Sequence, residues 1–184
     1  MGLSLESMAI VMPTVHGHPN RAGFRGVLTI VDVASDKSPS GARGHRVLLT
    51  RRAAEAAIPS LMGMGLDYSP ALDRHDAQRK IGVITRAEIV GRLIEVGGFL
   101  YARDFPEIVA EIGRPGRTGT SVSAGADRSV RASRSGLGMS YEITDALVED
   151  IKASVWVLNR VTFTGAAVLR RDKAAYCSTW IELG

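Results

Sequence analysis

Residues 81–102 read IGVITRAEIVGRLIEVGGFLYA. Ile81 to Val90 and Arg92 to Ala102 are rich in apolar and β-branched residues, and Gly91 stands between them. That pattern predicts two strands joined as a hairpin. The same signal recurs on both sides. In Phe24 to Val33, Val27, Thr29, Val31 and Val33 alternate with Leu28, Ile30 and Asp32. His45 to Thr50 (HRVLLT) is a second short strand. Leu137 to Leu147, Ser154 to Val161 and Thr164 to Arg170 read as three more, with Thr179 to Leu183 as a last short one. With about seven strands and two helices, the fold class expected is α+β, mainly β. The architecture expected is a closed or orthogonally packed β-barrel with peripheral helices.

The helices have their own signals. Thr50 can cap a helix over Arg51 to Leu61, with Ala54, Ala57, Ile58 and Leu61 on one face and Pro59 limiting it from inside. Asp104-Phe105-Pro106-Glu107 is a second helix start, with Asp104 as the cap and Pro106 in the first turn. Phe105, Ile108, Val109 and Ile112 form its apolar stripe, and Gly113 and Pro115 stop it. Residues 1–22 read as an irregular lead-in. Residues 114–136 are Gly, Ser, Ala and Arg with almost no large apolar side chain, and read as a solvated inserted loop. One domain over 1–184 is expected.

Composition narrows the function classes. The chain has 184 residues, 45% hydrophobic and 23% charged, so it can bury a real core. No apolar run approaches the length of a membrane-spanning helix, and the start lacks the features of a signal peptide. The single cysteine, Cys177, excludes an internal disulfide and fits a reducing compartment. The net charge of +4 permits acidic partners. Only 5% of residues are aromatic, and the arginine-rich loop lacks interleaved rings for stacking bases, so no nucleic-acid partner is expected. His16-Gly17-His18 has no cysteine or carboxylate beside it to complete a metal site, and no phosphate-cradling loop or cysteine-pair zinc motif occurs. No metal or cofactor is implied.

Two features point to chemistry. Ser140 lies in Leu137-Gly138-Met139-Ser140-Tyr141-Glu142-Ile143, a glycine-flanked serine on a strand packed against a core. His75 lies in Asp73-Arg74-His75-Asp76, at the end of a loop that runs into the strand from Ile81. Catalysis by a serine needs a base to take its proton, a group to orient that base, and donors for the oxyanion.

The order of segments resembles the prohead proteases of tailed phages, serine peptidases of capsid maturation that share a fold with the herpesvirus assemblins. The resemblance rests on His75 followed by Ile81-Gly82, on Gly138-Met139-Ser140, and on Val161-Thr162-Phe163-Thr164-Gly165-Ala166-Ala167. It covers Phe24 to Tyr176. It implies Ser140 as nucleophile, His75 as general base, and a Thr164-Gly165-Ala166 turn whose Gly165 and Ala166 backbone would hold the oxyanion. Where the family commonly has an acidic residue this chain has Val157. Asn159, two residues on and on the same strand face, is the candidate to orient the imidazole. A Ser–His dyad stays open, with Asp76, Asp104 and Asp172 in reserve, and Gly119-Thr120-Ser121 offers a second Gly-x-Ser. The implied substrates are scaffold and major capsid protein segments, cleaved inside the immature capsid in the host cytoplasm. The herpesvirus relatives suggest a homodimer. The alternative is a non-catalytic capsid-assembly or scaffold-binding protein on the same fold, for which Val157 speaks.

Overall fold

The computed structural model describes residues 8–13, 15–114 and 136–184. In chain order the elements are β1 (Met8–Ala9), β2 (Ala22–Ile30), β3 (Arg46–Leu49), α1 (Arg51–Ala57), β4 (Gly65–Asp67), β5 (Lys80–Val90), β6 (Leu93–Leu100), α2 (Pro106–Gly113), β7 (Leu137–Val148), β8 (Val155–Arg170) and β9 (Trp180–Leu183). The fold is mainly β. The expected hairpin is β5–β6: Val90 pairs with Leu93 across a two-residue Gly91-Arg92 loop, and Gly91 takes a φ of +60°, which glycine tolerates without strain.

The sheet runs β3-β8-β4-β5-β6-β2-β9, with β1 on β5 and β7 on β8. It curls into a half-barrel and does not close, which corrects the closed barrel expected from strand count. The ends that would have to join are β7 and β9; among the described residues β7 ladders only with β8 and β9 only with β2. A side chain stands in the seam. Thr179 Oγ1 accepts the Met139 N–H at 3.1 Å, so a donor that a ladder would need is already used. Gly138 makes room for it, since a β-carbon there would lie 2.7 Å from that oxygen.

Two strands expected separately, Ser154 to Val161 and Thr164 to Arg170, are one continuous strand, β8. It carries β7 along one flank and β3 and then β4 along the other, both parallel to it. Strands β1 and β4 were not anticipated. Strand β4 is only three residues long, and its Asp67 interrupts the apolar signal.

The helices differ in detail from expectation. Thr50 Oγ1 accepts the Ala53 N–H, as a cap should. The α-helix then ends at Ala57, and Ile58–Leu61 continues as a 3₁₀ turn, because Pro59 has no N–H to extend the α pattern. Asp104 is not the cap of α2. Phe105 holds that position without a side-chain bond, and Asp104 Oδ2 instead accepts from Asn20 Nδ2 at 2.8 Å. Asn20 Oδ1 in turn accepts the Arg103 N–H, which ties the lead-in to the start of α2.

One contiguous core fills the concave side of the sheet. Leu28, Leu49, Leu66, Ile84, Leu100 and Phe163 are fully buried, with Ala53 and Ala54 of α1 and Ile108 and Ile112 of α2 packed into it. Among the described residues no helix is long and apolar enough to cross a membrane. The arginine-rich stretch and Ser121 fall in 115–135, outside the described residues.

Candidate functional site

Alternation along the strands decides which side chains share a face. Met139 and Tyr141 of β7 turn to the core. Ser140 and Glu142, one residue out of step, turn to the opposite face. The ladder carries this face across three neighbours. Ser140 is paired with Ala167, and Ala167 with Asp67; Glu142 is paired with Gly165; Asp67 is paired with Lys80. Ser140, Glu142, Asp67 and Lys80 therefore stand on one surface formed by β7, β8, β4 and β5.

Two glycines leave room for the charges on that surface. A β-carbon at Gly165 would lie 2.6 Å from Glu142 Oε2, and one at Gly65 would lie 2.7 Å from Lys80 Cδ. The loop from Tyr68 to Arg79 folds over it. Its Leu72 carbonyl accepts the Arg170 N–H at 2.7 Å, and Asp76 donates its N–H to Asp67 Oδ1 at 3.0 Å. The Ser69 hydroxyl donates to Asp73 Oδ1 and holds that carboxyl below its ordinary value.

This loop delivers His75. Its Nδ1 lies 3.2 Å from Glu142 Oε1 and 4.0 Å from Asp67 Oδ1. The nitrogen is buried and has no hydrogen-bond partner among the described residues: Asp67 is too far, and Glu142 is near enough but not aligned. Lys80 Nζ lies 3.1 Å from Asp67 Oδ2 and 4.0 Å from Glu142 Oε2. Asp67 is fully buried, whereas the side chains of His75, Glu142 and Lys80 are 23%, 26% and 38% exposed. A buried carboxylate needs a partner of this kind, and the Lys80 ammonium and the Asp76 N–H supply it.

His75, Ser140 and Glu142 border one groove of about 790 Å³, with Trp156 and Leu158 farther along it. Residues 140–143 all border it, as consecutive residues do at a strand edge. The structure thus brings Ser140 and His75 to the same cleft. It does not bring Asn159 there. Asn159 does not border the groove: it is exposed, and its Nδ2 donates to Glu149 Oε2 at 3.4 Å. The carboxylates beside the imidazole are Glu142 and Asp67 instead. Gly165 and Ala166 are not in a turn. They lie inside β8 between β7 and β4, where Ala166 is in register with Tyr141 on one side and Leu66 on the other. Their backbone groups face ladder partners, which leaves them badly placed for an oxyanion.

The reserve carboxylates are also engaged. Asp76 pairs with Arg79, Asp172 with Arg170, and Asp104 with Asn20. His18 Nδ1 accepts the Asn20 N–H, and His45 stacks on Trp156 at 4.6 Å between ring centroids. Cys177 is exposed.

Sequence reasoning missed Asp67, Glu142 and Lys80. Glu142 had a signal, since it stands two residues beyond Ser140 and so on the same face of the strand. Asp67 had a weaker one, a carboxylate between Leu66 and Tyr68. One ring nitrogen of His75 and one carboxylate oxygen each of Asp67 and Glu142 lie within 4.8 Å of one another, a spacing that also suits ligands of a cation. No protein-family model and no curated protein matches the chain.

Proposed function

We propose that the chain is a serine endopeptidase of the capsid-maturation type, with Ser140 as nucleophile, His75 as general base and Glu142 as the group that orients the imidazole. The observation that carries this reading is the seat of His75. Its Nδ1 faces the buried Asp67 and the groove-lining Glu142, and the imidazole borders the same groove as Ser140. With Nδ1 turned to Glu142, Nε2 is the nitrogen left for a serine proton.

The step follows from those roles. Ser140 Oγ attacks the scissile carbonyl carbon and its proton passes to His75 Nε2. The imidazolium, facing Glu142, then gives that proton to the leaving amine as the C–N bond breaks. Water, deprotonated by the same nitrogen, releases the acyl group and restores Ser140. The backbone offers an oxyanion donor beside the nucleophile. The Met139 N–H points away from β8, toward Thr179. By alternation the Tyr141 N–H points the same way, off the unladdered edge of β7.

The capsid substrate rests on the order of motifs around His75, Ser140 and Val161 to Ala167. A fluorophosphonate probe tests the chemistry: wild type should be labelled, and Ser140→Ala and His75→Ala should not. Equal labelling of all three, or none of wild type, would favour the non-catalytic assembly protein. Co-assembly with capsid and scaffold proteins, read by intact mass, tests the substrate.

A further inference from the structure

We infer that Asp67, His75 and Glu142 form a binding site for a divalent transition-metal cation of the zinc type, which competes with the Lys80 ammonium for the two carboxylates. The separations fit. With metal–ligand bonds of about 2.0–2.1 Å, neighbouring ligand atoms of a tetrahedral site lie about 3.3 Å apart. His75 Nδ1 and Glu142 Oε1 are 3.2 Å apart. Asp67 Oδ1 lies 4.0 Å from the same nitrogen, so a small closing movement completes three ligands.

Two further observations point the same way. His75 Nδ1 is buried without an aligned hydrogen-bond partner, although it faces two carboxylates. A cation already sits on the same two carboxylates: Lys80 Nζ stands 3.1 Å from Asp67 Oδ2 and 4.0 Å from Glu142 Oε2, the partners of the two oxygens that face His75. Its side chain is 38% exposed, and its flexible stem lets the ammonium move into solvent when a metal arrives. One imidazole with two carboxylates suits zinc better than calcium or magnesium, which prefer all-oxygen shells.

Metal binding needs only these side chains. Its consequence rests on the proposed function: a metal on Nδ1 would draw Glu142 away and leave His75 unable to accept the Ser140 proton, so the cation would be an inhibitor.

The test uses the full chain, treated with chelator, in a His16→Ala/His18→Ala background that removes the other histidine pair. Zn²⁺ is titrated by calorimetry, and Co²⁺ by its visible absorption. The site predicts one saturable ion per chain. Glu142→Gln, which keeps shape, should weaken binding at least about tenfold. Lys80→Gln should tighten it by about tenfold, because a competing positive charge is removed. Ser140→Ala should bind as wild type does. Absence of saturable binding up to about 1 mM, or affinity indifferent to both Glu142→Gln and Lys80→Gln, would overturn the proposal. Cluster-dependent binding by a wild type that no fluorophosphonate labels would leave the metal site standing and remove the hydrolase.

Discussion

Replacing Gly165 by alanine should damage the site without damaging the fold. The added β-carbon would sit 2.6 Å from Glu142 Oε2, 3.6 Å from Glu142 Cδ and 3.5 Å from the Gly65 carbonyl oxygen. Only the first contact is too short, and it falls on the end of a flexible, 26% exposed side chain. An ordinary contact needs 3.4 Å, so the carboxylate must retreat by about 0.8 Å. Taken wholly along the contact with His75, that lengthens 3.2 Å to about 4.0 Å. At an effective dielectric of about 20 the attraction of Glu142 for an imidazolium then falls by about 1 kcal/mol, on the order of fivefold in rate. Stability should hold or rise by about 0.4–1 kcal/mol, because Gly165 does not need a positive φ and alanine restricts the unfolded chain. The assay pairs the fluorophosphonate labelling rate with urea unfolding. Gly98→Ala is the contrast. Its β-carbon would meet the Val83 carbonyl oxygen at 2.0 Å, a rigid backbone contact, and it should lose about 1–3 kcal/mol of stability. Unchanged labelling in a well-folded Gly165→Ala protein would refute the role given to Glu142.

Ser140→Ala should abolish labelling while shifting unfolding free energy by less than about 0.5 kcal/mol, since Ser140 is half-buried and borders a groove. Glu142→Gln should slow labelling by about a hundredfold or more, whereas Asn159→Ala should leave it unchanged; the reverse order would restore Asn159 as the orienting group. Tyr141→Phe should raise stability by about 1 kcal/mol, because the hydroxyl it removes is buried without a partner among the described residues, and a melting temperature that falls would contradict this. Tyr68 donates its hydroxyl to Glu107, and this bond holds the Glu107 carboxyl below its ordinary value. The folded value lies below the unfolded one, so the contact stabilises at neutral pH and its contribution disappears as pH falls through the folded value, below about 4.3. Urea unfolding of wild type and Tyr68→Phe should therefore differ at pH 7 and converge in acid.

Much of the sheet was legible because its strands carry plain signals. Gly91 between two apolar runs announced the β5–β6 hairpin, and Thr50 before Arg51 announced a cap. What was not legible depended on pairing. Strand β4 exists because β8 and β5 flank it, and three residues leave no periodicity to read. The family resemblance implied a turn at Gly165-Ala166, but both lie inside β8, where the missing side chain of Gly165 lets Glu142 lie across the strand. His75 and Ser140 were legible as site residues from their settings. Asn159 followed from its distance along the strand to Val157, but the β7–β8 register shifts three times between Glu142 and Val148, so alternation does not carry the Ser140 face to Asn159, which does not border the groove. The carboxylates that do face His75 come from β4 and β7, and only the ladder registers bring those strands to the same surface.

The one-residue alternation along β7 has a further effect. Met139 and Tyr141 must enter the interior for the molecule to fold at all, and each is adjacent to Ser140. Sliding β7 by a single position against β8 would push Ser140 and Glu142 into the hydrocarbon interior and strand a tyrosine and a methionine in water. Such a chain would not hold together, so a misaligned reactive centre cannot persist on an intact scaffold. Assembly of the interior thus proofreads the chemistry, and molecules that survive unfolding and refolding should recover labelling in the same proportion as they recover structure.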